Sequence, residues 1–305
     1  MFFKNKLPLI LIALGAGLWG AIVIFVRGLA ELGLSSMEIV TIRVAMAAIL
    51  LAAIGLLRYR KELTIRVKDS WMFIGTGILS IVFFNWCYFT SLNNMDVSIA
   101  VILLYTAPIF VSILSYFIFK EKFTLMKMLA LAGTFLGVIF VSGNSTGSHT
   151  DIGIVGLLIG IGAGFGYALY SIFGKIALRT YTTFTVTLYT FLAASVFLVP
   201  YTRIWEKASQ LLKPEVLGYG LGLALFPTVL AYFLYTKGLE KTDSSLASII
   251  ATVEPIVATL LGVFMFAEST SIMQLIGSVV ILLSVSVANM EGNPFRRIRK
   301  GFQSQ

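Results

Sequence analysis

Cysteine and histidine each occur once in the 305 residues, as Cys87 and His149. A disulfide within the chain is therefore impossible, and neither a His/Cys metal cage nor an H-E-x-x-H zinc motif can be built. Cys87 falls inside an apolar run and reads as a small packing residue, whereas His149 reads as solvated loop. Charge is equally scarce. Asp, Glu, Lys and Arg make up 12% of the chain against 58% hydrophobic residues, and the mean hydropathy is +0.94. That is too little polar surface to coat a water-soluble body of this length. The motif G-x-x-x-x-G-K-[ST] is missing, so nothing in the sequence supports a nucleotide-driven pump, and no bound cofactor is expected. Glu254 has no acidic neighbour within its run, which argues against an intramembrane enzyme built on paired carboxylates.

What the chain does have is apolar runs. Crossing roughly 30 Å of hydrocarbon takes about 20 helical residues. Runs of that kind start near Leu7, Met37, Trp71, Ser98, Thr124, Gly153, Phe184, Gly218, Ser244 and Ser271. They predict an all-α membrane protein of ten spans. The first run follows Lys4 and Lys6 like a secretory signal, but it is longer than a usual signal core and has an internal counterpart in mid-chain, so it is kept as a span.

Shifted by 147 residues, the distance from Gly15 to Gly162, the chain matches itself with almost no gap. Gly75 falls on Gly222, Tyr88 on Tyr235, Asp96 on Asp243, Pro108 on Pro255, Phe119 on Phe266 and Glu121 on Glu268. Five spans per copy is an odd number, so the second copy must lie upside down relative to the first, the arrangement of carriers that open one site to alternate sides. The expected organisation is a first five-helix repeat over 1–142, an external linker over 143–152, a second repeat over 153–289 and a basic cytoplasmic tail over 290–305. The linker contains the Gly/Ser/Thr-rich stretch Gly143 to Thr150.

The net charge of +9 is explained by where it sits. Apart from Arg43, only Arg27, Arg203, Lys207 and Lys213 fall on the side opposite the amino terminus. Such an excess orients spans during insertion, places both termini in the cytoplasm of a plasma membrane protein, and needs no nucleic acid to explain it.

Two ionisable residues lie well inside spans: Arg43 in the second and Glu254 in the ninth. A lone charge at that depth needs a partner, water or a change of protonation. Both are candidates for coupling; the alternatives are a mutual structural ion pair or an Arg43 that snorkels to the headgroups. Their repeat mates, Thr190 and Ala107, are uncharged, so neither charge belongs to the shared scaffold. Trp19, Asn85, Tyr88, Tyr105, Tyr167, Tyr232 and Tyr235 also lie within spans rather than in an interfacial belt, and together they outline a cavity for a small amphipathic or aromatic solute. Pro108 and Pro255 break helical hydrogen bonding at equivalent midspan positions, which suits a site or a hinge. Asp96 and Asp243 are expected to cap the helices that follow them. Gly133, Gly137, Gly160, Gly162, Gly164 and Gly166 read as close-packing positions.

These residues resemble the EamA-type members of the drug/metabolite transporter superfamily over essentially Leu7 to Ala288. The resemblance rests on Trp19-Gly20, the Arg43 position, the Phe-x-Glu that closes the stretch from Pro108 to Glu121, and Glu254-Pro255 through Glu268. It implies a ten-helix carrier whose first, third, fourth, sixth, eighth and ninth helices line a central cavity, commonly an exporter of amino acids or other metabolites. The expectation is a secondary transporter, an exporter of small metabolites such as amino acids or amines, working by alternating access with proton coupling through Glu254. The alternatives are an uncoupled facilitator or exchanger and, in a different class, a non-transporting membrane protein such as a lipid-modifying factor. Substrate and oligomeric state are not specified by the sequence.

Overall fold

The computed structural model describes residues 6–142, 153–267 and 271–288. His149, Glu268, the whole linker and the basic tail lie outside the described residues. Among those described there is helix and no strand. Nine helices are long and apolar enough to cross a membrane: α1 (Leu7–Glu31), α2 (Ser36–Arg58), α3 (Val67–Asn94), α4 (Val97–Phe119), α5 (Leu125–Ser142), α6 (Ile154–Ala177), α7 (Thr183–Thr202), α8 (Pro214–Leu239) and α9 (Ser244–Phe266). A shorter apolar helix, α10 (Ile272–Ala288), spans 17 residues. Each starts within four residues of its sequence-based position, because hydrophobic run length dominates where a helix can sit in lipid.

Helix α1 lies along α8 and α9, α6 lies along α3 and α4, α2 along α7, and α5 along α10. Small residues set these distances. A Cβ on Gly277 of α10 would sit 2.6 Å from the Gly137 carbonyl oxygen of α5, so only glycine permits that crossing.

Both α4 and α9 are broken near their middles. Helix α4 stops at Leu104 and restarts at Ala107; α9 stops at Ala251 and restarts at Glu254. Pro108 and Pro255 take the second position of each restarted helix, where a missing N–H costs least. The interruption is bridged by tighter turns, Thr106 N–H to Leu103 O at 3.2 Å and Thr252 N–H to Ile249 O at 3.2 Å. Both threonine hydroxyls donate to the same carbonyls at 2.6 Å. Helices α3 and α8 carry a further irregularity at overlapping repeat positions, π-helical turns over Gly75–Val82 and Leu225–Leu230. In α8, Pro227 has no N–H to give, and the Thr228 hydroxyl donates to Leu223 O, five residues back, at 2.7 Å.

One capping expectation is corrected. Asp96 and Asp243 occupy the N-cap positions of α4 and α9, yet neither side chain makes a capping hydrogen bond. For α9 the free N–H groups go instead to Glu121, which follows α4. Its carboxylate accepts from Ser244 N–H at 2.7 Å, Ser245 N–H at 3.1 Å and the Ser245 hydroxyl at 2.6 Å. Lys120 takes a left-handed conformation (φ 59°) and turns the chain so that Glu121 can reach. Asp243 is thereby left to pair with Lys127 Nζ at 2.8 Å. Nearby, Lys175 Nζ donates to the carbonyls of Leu239 and Thr242 at 2.7 Å each, joining α6 to the α8–α9 turn. In the α6–α7 connection, Tyr181 donates to Asp69 Oδ2 at 2.6 Å, and that bond raises the pKa of the phenol above its ordinary value.

The cap assignment has a discriminating test. Glu121→Ala should destabilise the purified protein by about 0.5–2 kcal/mol. Asp243→Ala removes one half-exposed ion pair and should cost only about 0–1 kcal/mol. Denaturation of both variants in the same detergent measures the order, and a larger loss for Asp243→Ala would return the cap to the aspartate.

Candidate functional site

The break in α9 places Glu254 at the first position of a helix that begins within the span, where the free N–H groups and the helix dipole favour a carboxylate. The Tyr167 hydroxyl of α6 donates to Glu254 Oε2 at 2.9 Å, and the Tyr105 hydroxyl, from the break in α4, faces the same carboxylate. The close approach of α1 is set here too. A Cβ on Gly20 would lie 2.6 Å from the Glu254 carbonyl oxygen, and one on Gly164 of α6 would lie 2.6 Å from the Leu103 carbonyl beside the other break. Each break is thus covered by a glycine from the opposite half of the chain.

Next to Glu254 lies a cleft lined by Trp19 of α1, Ser80 and Phe84 of α3, Tyr167, Tyr170 and Ser171 of α6, and Tyr232 and Tyr235 of α8. Its rings meet mostly edge to face: Trp19 and Tyr232 at 4.9 Å and 66°, Tyr170 and Tyr232 at 4.9 Å and 89°, Phe84 and Tyr167 at 5.4 Å and 77°. Hydroxyl pairs tie the same wall together, Tyr170 with Thr236 at 2.6 Å and Ser171 with Tyr235 at 2.7 Å. The rings leave space for about one water molecule, so a larger solute enters only if they part.

Of the aromatic residues expected at a cavity, Trp19, Tyr167, Tyr232 and Tyr235 line this cleft directly. Tyr105 reaches Glu254 instead, and Tyr88 stands behind Phe84 with ring centres 6.0 Å apart. Asn85 is buried but is not part of the lining; its amide donates to Ile81 O of its own helix at 2.7 Å. Ser80, Phe84 and Ser171 were not anticipated. Ser171 lies four residues after Tyr167, on the same face of α6, whereas Ser80 is carried by the π-helical turn, which has no sequence signature in α3.

Arg43 lies on α2 between Val40 and Ala47, which pack into the cluster that contains Trp19 and Tyr232. It is 5% exposed, and its Nε and Nη2 have no hydrogen-bond partner. Glu254 and Tyr232 are within its electrostatic reach, but the ion pairs among the described residues do not include Arg43. Its repeat mate behaves differently. Thr190 of α7 is fully buried and donates to the Thr76 hydroxyl of α3 at 2.6 Å. The indole Nε1 of Trp19, in the cleft wall, is also buried without a partner. Among the described residues no group of His, Cys, Asp and Glu is placed to hold a metal ion.

The model of the EamA-like transporter family matches this chain twice, over residues 6–143 and 154–290. The chain belongs to the EamA-like transporter family. It is a multi-pass membrane transporter, and two units of the family account for nearly all of it. A Bacillus subtilis (strain 168) protein named "Uncharacterized transporter YwfM" is 28% identical over 230 residues, covering 73% of this chain and 75% of its own. An "Uncharacterized transporter" of Archaeoglobus fulgidus is 29% identical over 258 residues, 83% of this chain and 88% of its own. A crystal structure at 18% identity superposes with a TM-score of 0.77 over 92% of this chain and 96% of that one, which shows the shared fold.

In this family member, the unpartnered indole N–H gives the site a measurable signature. Trp19→Phe keeps an aromatic ring and removes a donor that bonds nothing, so the melting temperature in detergent should hold or rise. Trp19→Ala leaves a cavity and should cost about 3–5 kcal/mol. A marked loss in the phenylalanine variant would mean that the indole nitrogen is bonded within the protein.

Proposed function

We propose that this chain is a secondary transporter of the plasma membrane that exports small metabolites, amino acids or amines, by alternating access. Its ten helices form two inverted five-helix repeats with both termini in the cytoplasm, and Glu254 is the proton-coupling carboxylate. The observation that carries this reading is the position of Glu254. It stands at the start of a broken mid-span helix, bonded to Tyr167 and beside a cleft with walls from both halves of the chain. A carboxylate so placed is reached by proton or solute only when the surrounding helices part.

The inversion is supported by packing. When each helix is replaced by its repeat mate, the α1 contacts with α8 and α9 become the α6 contacts with α3 and α4, and these are present. Rocking one five-helix unit against the other would then open the cleft to one side and close it to the other. A second reading, an uncoupled facilitator or exchanger, is favoured by Arg43, which lies within electrostatic reach of Glu254. A fixed pair of opposite charges can pass a solute without a proton.

Proteoliposomes with a pH-sensitive dye inside separate the two readings. An amino acid gradient should move protons through the wild-type protein, and Glu254→Gln should reduce that proton flux at least tenfold while leaving the fold intact. Solute flux with no change in lumenal pH would establish the facilitator. Proton flux undiminished in Glu254→Gln would remove the carboxylate from coupling.

A further inference from the structure

A guanidinium in a membrane protein interior costs several kcal/mol unless its N–H groups and its charge are met. Arg43 meets these conditions only in part: Nε and Nη2 are unpartnered, it is 5% exposed, it has no ion pair among those of the described residues, and Glu254 acts on it at a distance rather than by contact. The fold does not require this. Thr190, at the equivalent position of the second repeat, closes its own hydrogen bond with Thr76. The aromatic cleft is close by, since Tyr232 of its wall is within electrostatic reach of Arg43. Val40 and Ala47, three residues before and four after Arg43 on α2, belong to the same packed cluster as two residues of the cleft wall, Trp19 and Tyr232. Trp19 contributes a second buried donor without an acceptor. The surroundings of the cleft thus hold N–H donors that lack an acceptor and a carboxylate, Glu254, with two tyrosine hydroxyls toward it.

We propose that Arg43 is the docking group for a carboxylate of the transported solute, with Glu254 receiving an ammonium, so that the substrate class is a small zwitterion. The argument is one of charge balance and rests on the reading of the Glu254 cleft as the transport site. Arg43 and Glu254 sum to zero, and a zwitterion adds zero while supplying each with an opposite charge. A simple amine leaves Arg43 uncompensated and makes the loaded site positive; a simple acid leaves Glu254 uncompensated and makes it negative. A phosphate monoester dianion would match the guanidinium fork but load a net double charge into a low-dielectric site, which charge burial opposes.

The test is binding of matched probes to purified protein, read as ligand-dependent thermal stabilisation. The sets are L-phenylalanine with phenethylamine and 3-phenylpropionate, and L-leucine with isoamylamine and 4-methylpentanoate. At least one amino acid should bind wild type tenfold or more tightly than its own amine and its own acid. In Arg43→Gln the preference over the amine should fall to within about twofold, with amine binding itself retained as the control for folding; Arg43→Lys should keep part of the preference. In Glu254→Gln the preference over the acid should fall in the same way. If both amines bind wild type as tightly as their amino acids, the proposal is overturned without any variant, and an unchanged preference in Arg43→Gln overturns it too. Failure of every probe to bind also overturns it. In that case flux of a different solute in proteoliposomes would leave the transporter reading standing, whereas absence of flux with any solute would end both.

Discussion

Inside a bilayer a helix that stops has no water to receive its free carbonyl and N–H groups, and the protein must supply their partners. This chain accepts that constraint twice, at Tyr105–Thr106 and at Thr252–Val253, and much of the arrangement around the site answers to it. Threonine hydroxyls and tighter turns take up some of the freed carbonyls. Gly20 and Gly164 bring a neighbouring backbone against each break. Because those glycines come from opposite halves of the chain, the requirement to seal the breaks is also what holds the halves together at the level of the cleft. Glu254 follows from the same geometry, since a restarted helix presents free N–H groups at its first turn and a carboxylate is the side chain best suited to that field.

The ends of the helices obey the same rule by different means. Glu121 reaches the start of α9 from beyond the end of α4, and three hydrogen bonds compensate for the left-handed conformation of Lys120 that directs it there. A contact of this kind joins the first half to the second at the membrane surface, next to the Lys127–Asp243 pair. Any motion that separates α4 from α9 at that end must break it. Local capping and global conformation are therefore linked: the group that ends one helix correctly is supplied by the other half of the chain.

The helix positions were legible in the sequence because hydrophobic run length is a local property and the bilayer enforces it. The glycine positions were legible for a similar reason, since small residues at regular spacing have few other uses in lipid. Trp19, Tyr167, Tyr232 and Tyr235 were found because polar-tipped aromatics inside a span stand out from their surroundings. Asp243 was misjudged as a cap because its position before α9 is right by local rules, while the actual donor–acceptor pairing depends on Glu121, distant in sequence and brought close only by tertiary packing. Ser80 escaped notice because the π-helical turn that carries it depends on how α3 packs, and Asn85 was placed at the cavity on a general rule that a buried amide looks inward, when a carbonyl four residues back satisfies it. For Asp243 and Ser80 the missing information was a non-local contact; for Asn85 it was a local one, the carbonyl of its own preceding turn.

The difference between the two halves now has a physical meaning beyond divergence. A pair of identical repeats would put the same side chain at both Arg43 and Thr190, and a second arginine would add a positive charge that Glu254 alone does not balance. Replacing one of them by threonine, which closes a neutral hydrogen bond with Thr76, leaves a single positive group. The same reasoning applies to Glu254 and its uncharged mate Ala107. The scaffold thus tolerates one charge of each sign, each at a position that its mate leaves neutral. If one carboxylate receives the proton and the solute ammonium in turn, the two compete for it, and competition at a site exposed alternately to either side gives exchange of solute for proton rather than movement of both together. On the proposed coupling, export driven by an inward proton gradient would need only that one acid, one base and one cleft.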